Sequence, residues 1–381
     1  MVAKTGMRLF KLIDQNKNLK FLQQAIENQK IANGYLFYGP EGSGSEGFAL
    51  EFAAMLNCQN DGEKPCGVCG SCRKMRKLEH GNLTLVYPIP SVGNVKDEDP
   101  VAKLPKSTIE ELQTQLARKA DNPYHKIWLE KANNIPISKI RHIKRNIYLS
   151  APEEGWKIII VFDADLMNKE SANAFLKILE EPPAKTTIIM TTSRIGRILP
   201  TIRSRCKPLY FSKLSNDEIR HFLDGTEYTE EEVQLMVNLA DGNMTSVLNL
   251  MEQDIKKIKN STLEIIRTIA GWSIRKIYDT VPQLAQISKT EPDMFRQILT
   301  SMNFWFRDAE MIRQELDDHE LIHIDQRTTL QKFVDNYPDF DAFGINQEID
   351  NCIDFISRNV YINLALMDMF FKIKKLIGRK K

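Results

Sequence analysis

Two groups of residues in this 381-residue sequence have the types and spacing to do chemistry. The first is Gly39-Pro-Glu-Gly42-Ser-Gly44-Ser45-Glu46, which follows the short apolar run Gly34–Tyr38 and precedes the helix-forming run Phe48–Leu56. A phosphate loop has the form G-x-x-x-x-G-K-[ST] between a strand and a helix. Its amides cradle phosphate, its Lys reaches the β/γ-phosphates and its hydroxyl holds Mg²⁺. Gly39 and Gly44 keep that frame, with Gly42 between them, but Ser45 stands at the Lys position and supplies no cation. Glu46 stands at the Ser/Thr position, in a first helical turn whose dipole already favours an anion, so its carboxylate repels a triphosphate. Alone, the segment also reads as a tight glycine turn. A second element bears on this. The run Ile158–Phe162 ends in Asp163-Ala164-Asp165. In a Walker B site the first Asp holds Mg²⁺ through water and the next residue, Glu, polarises the attacking water. Asp163 fits the first role, and Ala164 stands where the Glu belongs. Three roles of one nucleotide site are therefore lost together.

The second group is Cys58-x7-Cys66-x2-Cys69-x2-Cys72. Four thiolates within so short a stretch suit tetrahedral Zn²⁺ with no open position, which makes a structural site. An iron–sulfur cluster is the chemical rival, although the ferredoxin run requires a further Cys and a Pro where Arg76-Lys77 stand. Four unligated thiols are the third reading. Cys206 and Cys352 stand apart and read as core, and the histidines at 80, 125, 142, 221, 319 and 323 are scattered without a metal or catalytic pattern.

The elements that must position these groups alternate. Helical spacing over residues 16–32 leads into the strand 34–38, then the glycine turn and a helix. Leu83–Tyr87, Trp156–Phe162, Thr186–Thr191 and Pro208–Phe211 read as further strands, those at 158 and 186 apolar on both faces as central parallel strands are. Ile137–Leu149 reads as a helix with Ser138 as its cap, and Asn168 caps another that Pro182-Pro183 stops. Strands alternating with helices predict a parallel sheet covered on both faces. Residues 88–123 hold five prolines and read as an insertion, helical around 107–120. From Ser215 the pattern is helical, and the last long helix carries Ile349, Ile353, Ile356, Val360, Leu364 and Met367 as a packing stripe, before a solvated Gly-Arg-Lys-Lys tail.

Net charge is only +2, so there is no global footprint of a nucleic-acid binder. No apolar run approaches the ~20 residues that cross a bilayer. The first residues carry no apolar signal region, so the expected location is cytoplasmic and reducing. The helix near 140 carries Lys139, Arg141, Lys144 and Arg145, of which 141, 144 and 145 share a face. That face is either plainly solvated or a local phosphate contact.

Several segments together resemble a known family: Gly34–Pro40, the cysteine cluster, Trp156–Asp165, Ser171–Pro183 and Leu199-Pro-Thr-Ile-Arg-Ser-Arg-Cys206. In order and spacing they are similar to delta-prime subunits of bacterial DNA polymerase III clamp loaders, AAA+ proteins. The likeness covers residues 16–212 apart from the insertion and is architectural beyond. It implies an α/β AAA+ P-loop domain (1–212) with a zinc module at 58–72 and an insertion at 88–123. A helical lid (213–270) and an all-α collar for oligomerisation (271–381) would follow. It further implies a place in the DNA polymerase III holoenzyme, in a five-subunit ring with gamma/tau and delta partners that loads the sliding clamp onto primed DNA. Delta-prime subunits typically lack a working P-loop, so no functional ATP/Mg²⁺ site is expected among Gly39, Gly42, Gly44, Ser45, Glu46 and Asp163. Ser204-Arg205-Cys206 matches the family motif whose Arg acts in trans on a neighbour's ATP, with Arg203 as the weaker candidate. Thr191 or Thr192 falls at the sensor-1 position, and Thr245 at the sensor-2 position, where Arg is expected. The family also places a helix near Arg141, Lys144 and Arg145 towards DNA. Two other readings stay open: an ATP-hydrolysing gamma/tau-like motor, and a zinc-module DNA-binding protein on a relic AAA+ fold.

Overall fold

The computed structural model describes residues 9–13, 16–91, 99–252, 255–316, 320–357 and 361–378. The first six residues, His319, Val360 and the tail Arg379–Lys381 lie outside the described residues. The chain divides into two compact units, Met1–Glu218 with Asn243–Thr245, and Ile219–Gly242 with Ser246–Lys381.

The first unit is built on five parallel strands, β1 (Gly34–Tyr38), β2 (Leu83–Val86), β3 (Lys157–Val161), β4 (Thr186–Thr192) and β5 (Lys207–Tyr210), in the order β2-β3-β4-β1-β5. The strand period of two divides side chains between two cores. Tyr35, Phe37, Ile158, Ile160 and Ile189 face one side, with α1 (Asn16–Glu27), α2 (Ser45–Asn57), α3 (Gly70–Arg76) and α4 (Lys106–Asp121). Leu36, Ile159, Val161, Ile188 and Met190 face the other, with α5 (Ile137–Asn146), α6 (Lys169–Glu180) and α7 (Pro200–Arg203). Helix α2 is buried nearly all round, and its Ala49, Ala53 and Ala54 let it approach the sheet closely. β1 lies between β4 and β5, so the loop after it opens at the carboxyl edge where the strand order switches. Ligands of open α/β sheets bind there.

Several boundaries differ from expectation. Helix α5 begins after Pro136, whose fixed φ and missing N–H suit a helix start, so Ser138 lies inside the helix rather than capping it. It ends at Asn146, because the Lys157 ammonium takes up the carbonyls of Ile147 and Leu149. Helix α1 stops at Glu27, with Gln29 in the left-handed region. Asn168 does cap α6, accepting from Ser171 N at 2.8 Å.

The second unit is helical among its described residues. It comprises α9 (Glu230–Ala240), most of α10 (Met244–Glu252), α11 (Ile255–Gly271), α12 (Ile274–Thr290), α13 (Pro292–Arg313), α14 (Arg327–Asn336), α15 (Ala342–Ser357) and α16 (Ile362–Ile377); α8 (Asn216–Leu223) spans the division. Helix α13 is the hub, packed on α11, α12, α14 and α15. The expected single terminal helix is two, because Tyr361 is extended and starts α16 afresh. Leu364 accordingly leaves the packing stripe and is exposed, while Ile349 is buried.

One polar group is sealed in this bundle. Asp308 accepts from the backbone N–H of Ile322 (3.1 Å) and His323 (2.8 Å) and from His323 Nδ1 (3.0 Å), and His323 Nε2 meets Ser301 Oγ at 3.2 Å. The order is that of a Ser-His-Asp triad, but all three residues are buried, so it ties a loop to α13 rather than reacting. Asp308→Ala strands three donors, and we expect it to lower unfolding free energy by roughly 3–5 kcal/mol in urea titrations. An unchanged midpoint would show that the tie contributes nothing.

Candidate functional site

The residues after β1 form a phosphate-loop turn. Gly39 donates to Thr192 O at 3.3 Å, and a Cβ there would strike the backbone of Phe211, so only glycine fits. Gly42 (φ 71°) and Gly44 (φ 92°) take left-handed conformations that free the amides at the start of α2. Gly39, Gly42, Gly44, Ser45, Glu46 and Asp163 all line one recess, together with Thr191, Thr192 and Thr245. The sequence-derived set is therefore brought together. Asp163 itself sits at φ 48° just past β3, an uncommon backbone state of the kind that clusters at functional sites.

What fills the recess was not legible from the motif. Lys119 of α4 is fully buried and directs its ammonium to Glu46, forming a close ion pair. Its other two acceptors are Pro123 O (2.8 Å) and His125 O (2.7 Å), and it lies 5.1 Å from the Phe162 ring centroid. All three ammonium donors are thus used. A second ammonium, Lys126, reaches Glu41 at 2.9 Å and Asp163 at 3.2 Å. Between them Tyr124 packs against Gly44, with its hydroxyl accepting from Ile13 N at 2.8 Å and its carbonyl from Thr245 Oγ1 at 2.9 Å. The recess stays open to solvent, and the space these groups leave inside it is about 40 Å³, enough for a few waters. The one signal for Lys119 lay in α4. Leu112 and Leu116 form its inward stripe, and Lys119 continues that stripe as a lone charge.

Burial pushes the Asp163 carboxyl up to about 6, and the Glu46 charge adds to this while Lys126 opposes it. Burial works against the Lys126 ammonium, but Asp163 and Glu41 hold it above its usual value. Beyond the recess, Thr192 Oγ1 donates to Asp165 at 2.7 Å and accepts from Arg194 N, so it is committed, whereas the Thr191 hydroxyl is buried without a partner.

The four cysteines also converge. The sulfurs of Cys58, Cys66, Cys69 and Cys72 lie within 4.8 Å of one another, with Cys66 and Cys72 at 4.0 Å. A tetrahedral ion with ~2.3 Å bonds requires S···S edges of about 3.8 Å. Cys66 Sγ accepts from Cys69 N, and Cys69 Sγ from Cys72 N, both at 3.4 Å. Backbone donors from Val68 and Cys69 hold the Cys66 thiol below its usual range, while burial pushes Cys72 up. Four sulfurs this close cannot all be thiolates without a cation, and the donor set fits a structural ion. Cys206 lies apart, its thiol raised to about 12 by burial, and Cys352 is likewise buried.

Arg205 does not join the recess. It is exposed after α7, paired with Glu180 at 2.9 Å and donating to Thr201 O at 3.0 Å. Arg141 and Arg145 are exposed on α5 and Lys144 is half-buried, but Lys139 turns inward to Asp99 at 3.3 Å.

An open parallel sheet with a glycine phosphate-loop turn and an aspartate at the end of the strand two places away defines a P-loop-type domain. The family described as DNA polymerase III, delta subunit, matches residues 14–215. The chain belongs to that family of clamp-loader AAA+ proteins. It is 23% identical to the DNA polymerase III subunit tau of Bacillus subtilis over 78% of this chain and 49% of that protein. It is 26% identical to the subunit delta' of Bacillus subtilis over 63% of this chain and 60% of that one, and 26% identical to the subunit gamma of Buchnera aphidicola over 66% and 59%. It thus spans about half to three fifths of these relatives. A solved DNA polymerase III gamma-subunit-related protein from Thermotoga maritima aligns with 96% of this chain and all of its own, at 18% identity and a TM-score of 0.41. No described helix is long and apolar enough to cross a membrane.

The Asp163 environment has a pH signature. An unfolded Asp titrates near 3.8 and this one near 6, so the folded state holds the proton more tightly between those values. The contribution is full below the unfolded value and is lost as pH rises through about 6. Asp163→Asn is expected to remove that slope from unfolding free energies measured between pH 4 and 7. Superimposable pH profiles of variant and wild type would overturn the assignment.

Proposed function

We propose that this chain is a non-hydrolysing, delta-prime-like clamp-loader subunit that helps load a sliding clamp onto primed DNA. The observation that carries it is the recess, where Ser45 and Glu46 replace the phosphate and Mg²⁺ ligands and the chain's own Lys119 and Lys126 neutralise the acids. The tau and gamma relatives favour a second reading, an ATP-hydrolysing motor. The missing Lys and Ser/Thr, and the ammonium groups already paired with Glu46 and Asp163, weigh against it. In the proposed role the N-terminal domain covers 1–212, a lid 213–270 and a collar 271–381, with gamma/tau and delta subunits as partners in the cytoplasm. Arg141, Lys144 and Arg145 are the proposed phosphate contacts to DNA.

The activity left to the chain is exerted on a neighbour. Arg205 is exposed on the side of its own fold, away from the recess, and delivers a guanidinium to the ATP of the adjacent subunit. Charge spread over the γ-phosphoryl oxygens in the transition state is what that cation stabilises. Its ion pair with Glu180 is exposed, so little is lost when it moves to phosphate. In a complex rebuilt with Arg205→Ala, assembly should persist while hydrolysis at one neighbouring site falls by roughly 10³ to 10⁵. ATPase and clamp-loading rates equal to wild type would sink the proposal.

We assign the cysteine cluster to structural zinc, held by Cys58, Cys66, Cys69 and Cys72. Metal analysis of freshly purified protein should give about one zinc per chain, as a closed four-sulfur site implies. Cys72→Ser should lower both zinc content and melting temperature. Protein with no zinc and an unchanged melt would refute the assignment.

A further inference from the structure

The chain from α4 to Lys126 runs along the recess at the phosphate-loop turn. Lys119 is a fully buried lysine with all three donors satisfied, one of them by the residue at the Mg²⁺-ligand position, Glu46. Lys126 meets Asp163, the other residue that would attend the metal, and Glu41 within the loop itself. Two single positive charges thus stand where one Mg²⁺ would bring two. Each is delivered on a short, ordered stretch: Lys119 from the last turn of a 16-residue helix, Lys126 from the loop after it. The ring of Tyr124 covers Gly44 between them.

We propose that the segment Lys106–Lys126 is a built-in occupant of the former nucleotide site, with Lys119 and Lys126 replacing the metal's charge and Tyr124 covering the loop. This rests on the reading above that the site no longer turns over nucleotide, and it adds what keeps the site closed. A working P-loop left empty has free amides and unbalanced carboxylates. Here the segment's two ammonium groups give each of Glu46, Asp163 and Glu41 an ion-pair partner without any ligand. The helical part of the insertion therefore acts as an internal ligand that makes this unit's conformation independent of ATP. Sequence repair of the loop alone cannot restore binding, because the ammonium groups still occupy the site.

The test uses the full-length chain and a fluorescent ADP analogue with and without Mg²⁺. Three proteins are compared: wild type, the loop-repaired variant Ser45→Lys/Glu46→Thr, and that variant with Lys119→Ser and Lys126→Ala added. The expected result is no saturable binding by the first two and Mg²⁺-dependent binding by the third, at least about tenfold tighter than the second. If the loop-repaired variant binds as tightly as the third, or if the third is folded and does not bind, the occupant is overturned while the non-hydrolysing reading stands. Mg²⁺-dependent binding by wild type would overturn both. Should the variants fail to fold, amine labelling of the native wild type decides. Lys119 should resist reductive methylation under conditions that modify the exposed Lys131, and equal labelling of the two would overturn the proposal.

Discussion

A carboxylate at the N-terminus of a buried helix needs a cation, and in this protein the cation comes from the same chain. Glu46 opens α2, which is packed nearly all round between the sheet and its neighbours. Glu46 keeps 19% of its side chain exposed, but its partner Lys119 is fully buried, and a pair left half-made there costs several kcal/mol. Lys119 meets that need, but a lysine ammonium carries three donors, and leaving two of them idle would undo the gain. The carbonyls of Pro123 and His125 take them up, which fixes the turn after α4 and with it Tyr124 and Lys126. The conformation of the loop, the position of Tyr124 over Gly44 and the ion pair at Asp163 all follow from that one contact.

Helix α2 also connects the two candidate sites. It starts in the glycine loop and ends at Asn57, so that Cys58 is its C-terminal cap. Asn57 ties this end to the start of β3, donating to Trp156 O at 3.1 Å and accepting from Trp156 N at 2.9 Å. The remaining three cysteines lie on or just before α3, which packs on α2. An ion held by the four sulfurs would pin one end of the helix, as Lys119 pins the other. His80, buried between Ser71 and Glu153 with its imidazole kept neutral by burial, is part of the same support rather than a ligand.

On the proposed reading, the functional residues divide by whose nucleotide they address. The groups that would act on the chain's own ATP are replaced or engaged internally, whereas Arg205 remains exposed and held only by surface contacts. Relatives named tau and gamma lie about as near to this chain as one named delta'.

By itself the sequence determined the strands, the glycine turn, the replaced residues Ser45, Glu46 and Ala164, and the cysteine set. Each of these is a local pattern: a period of two, a glycine where φ must be positive, a spacing of sulfur ligands. It also singled out the helix bearing Arg141, Lys144 and Arg145, and through the resemblance Arg205. Only the tertiary structure decided that Lys119 lies against Glu46, 73 residues away in the chain, and that Lys139 turns inward to Asp99. It also decided that the last helix is two. A lysine in a helix is written the same way whether it faces water or a carboxylate, and the difference appears only when another element is packed against it. The replaced positions were legible in three residues; what lies against them was a matter of distance in space.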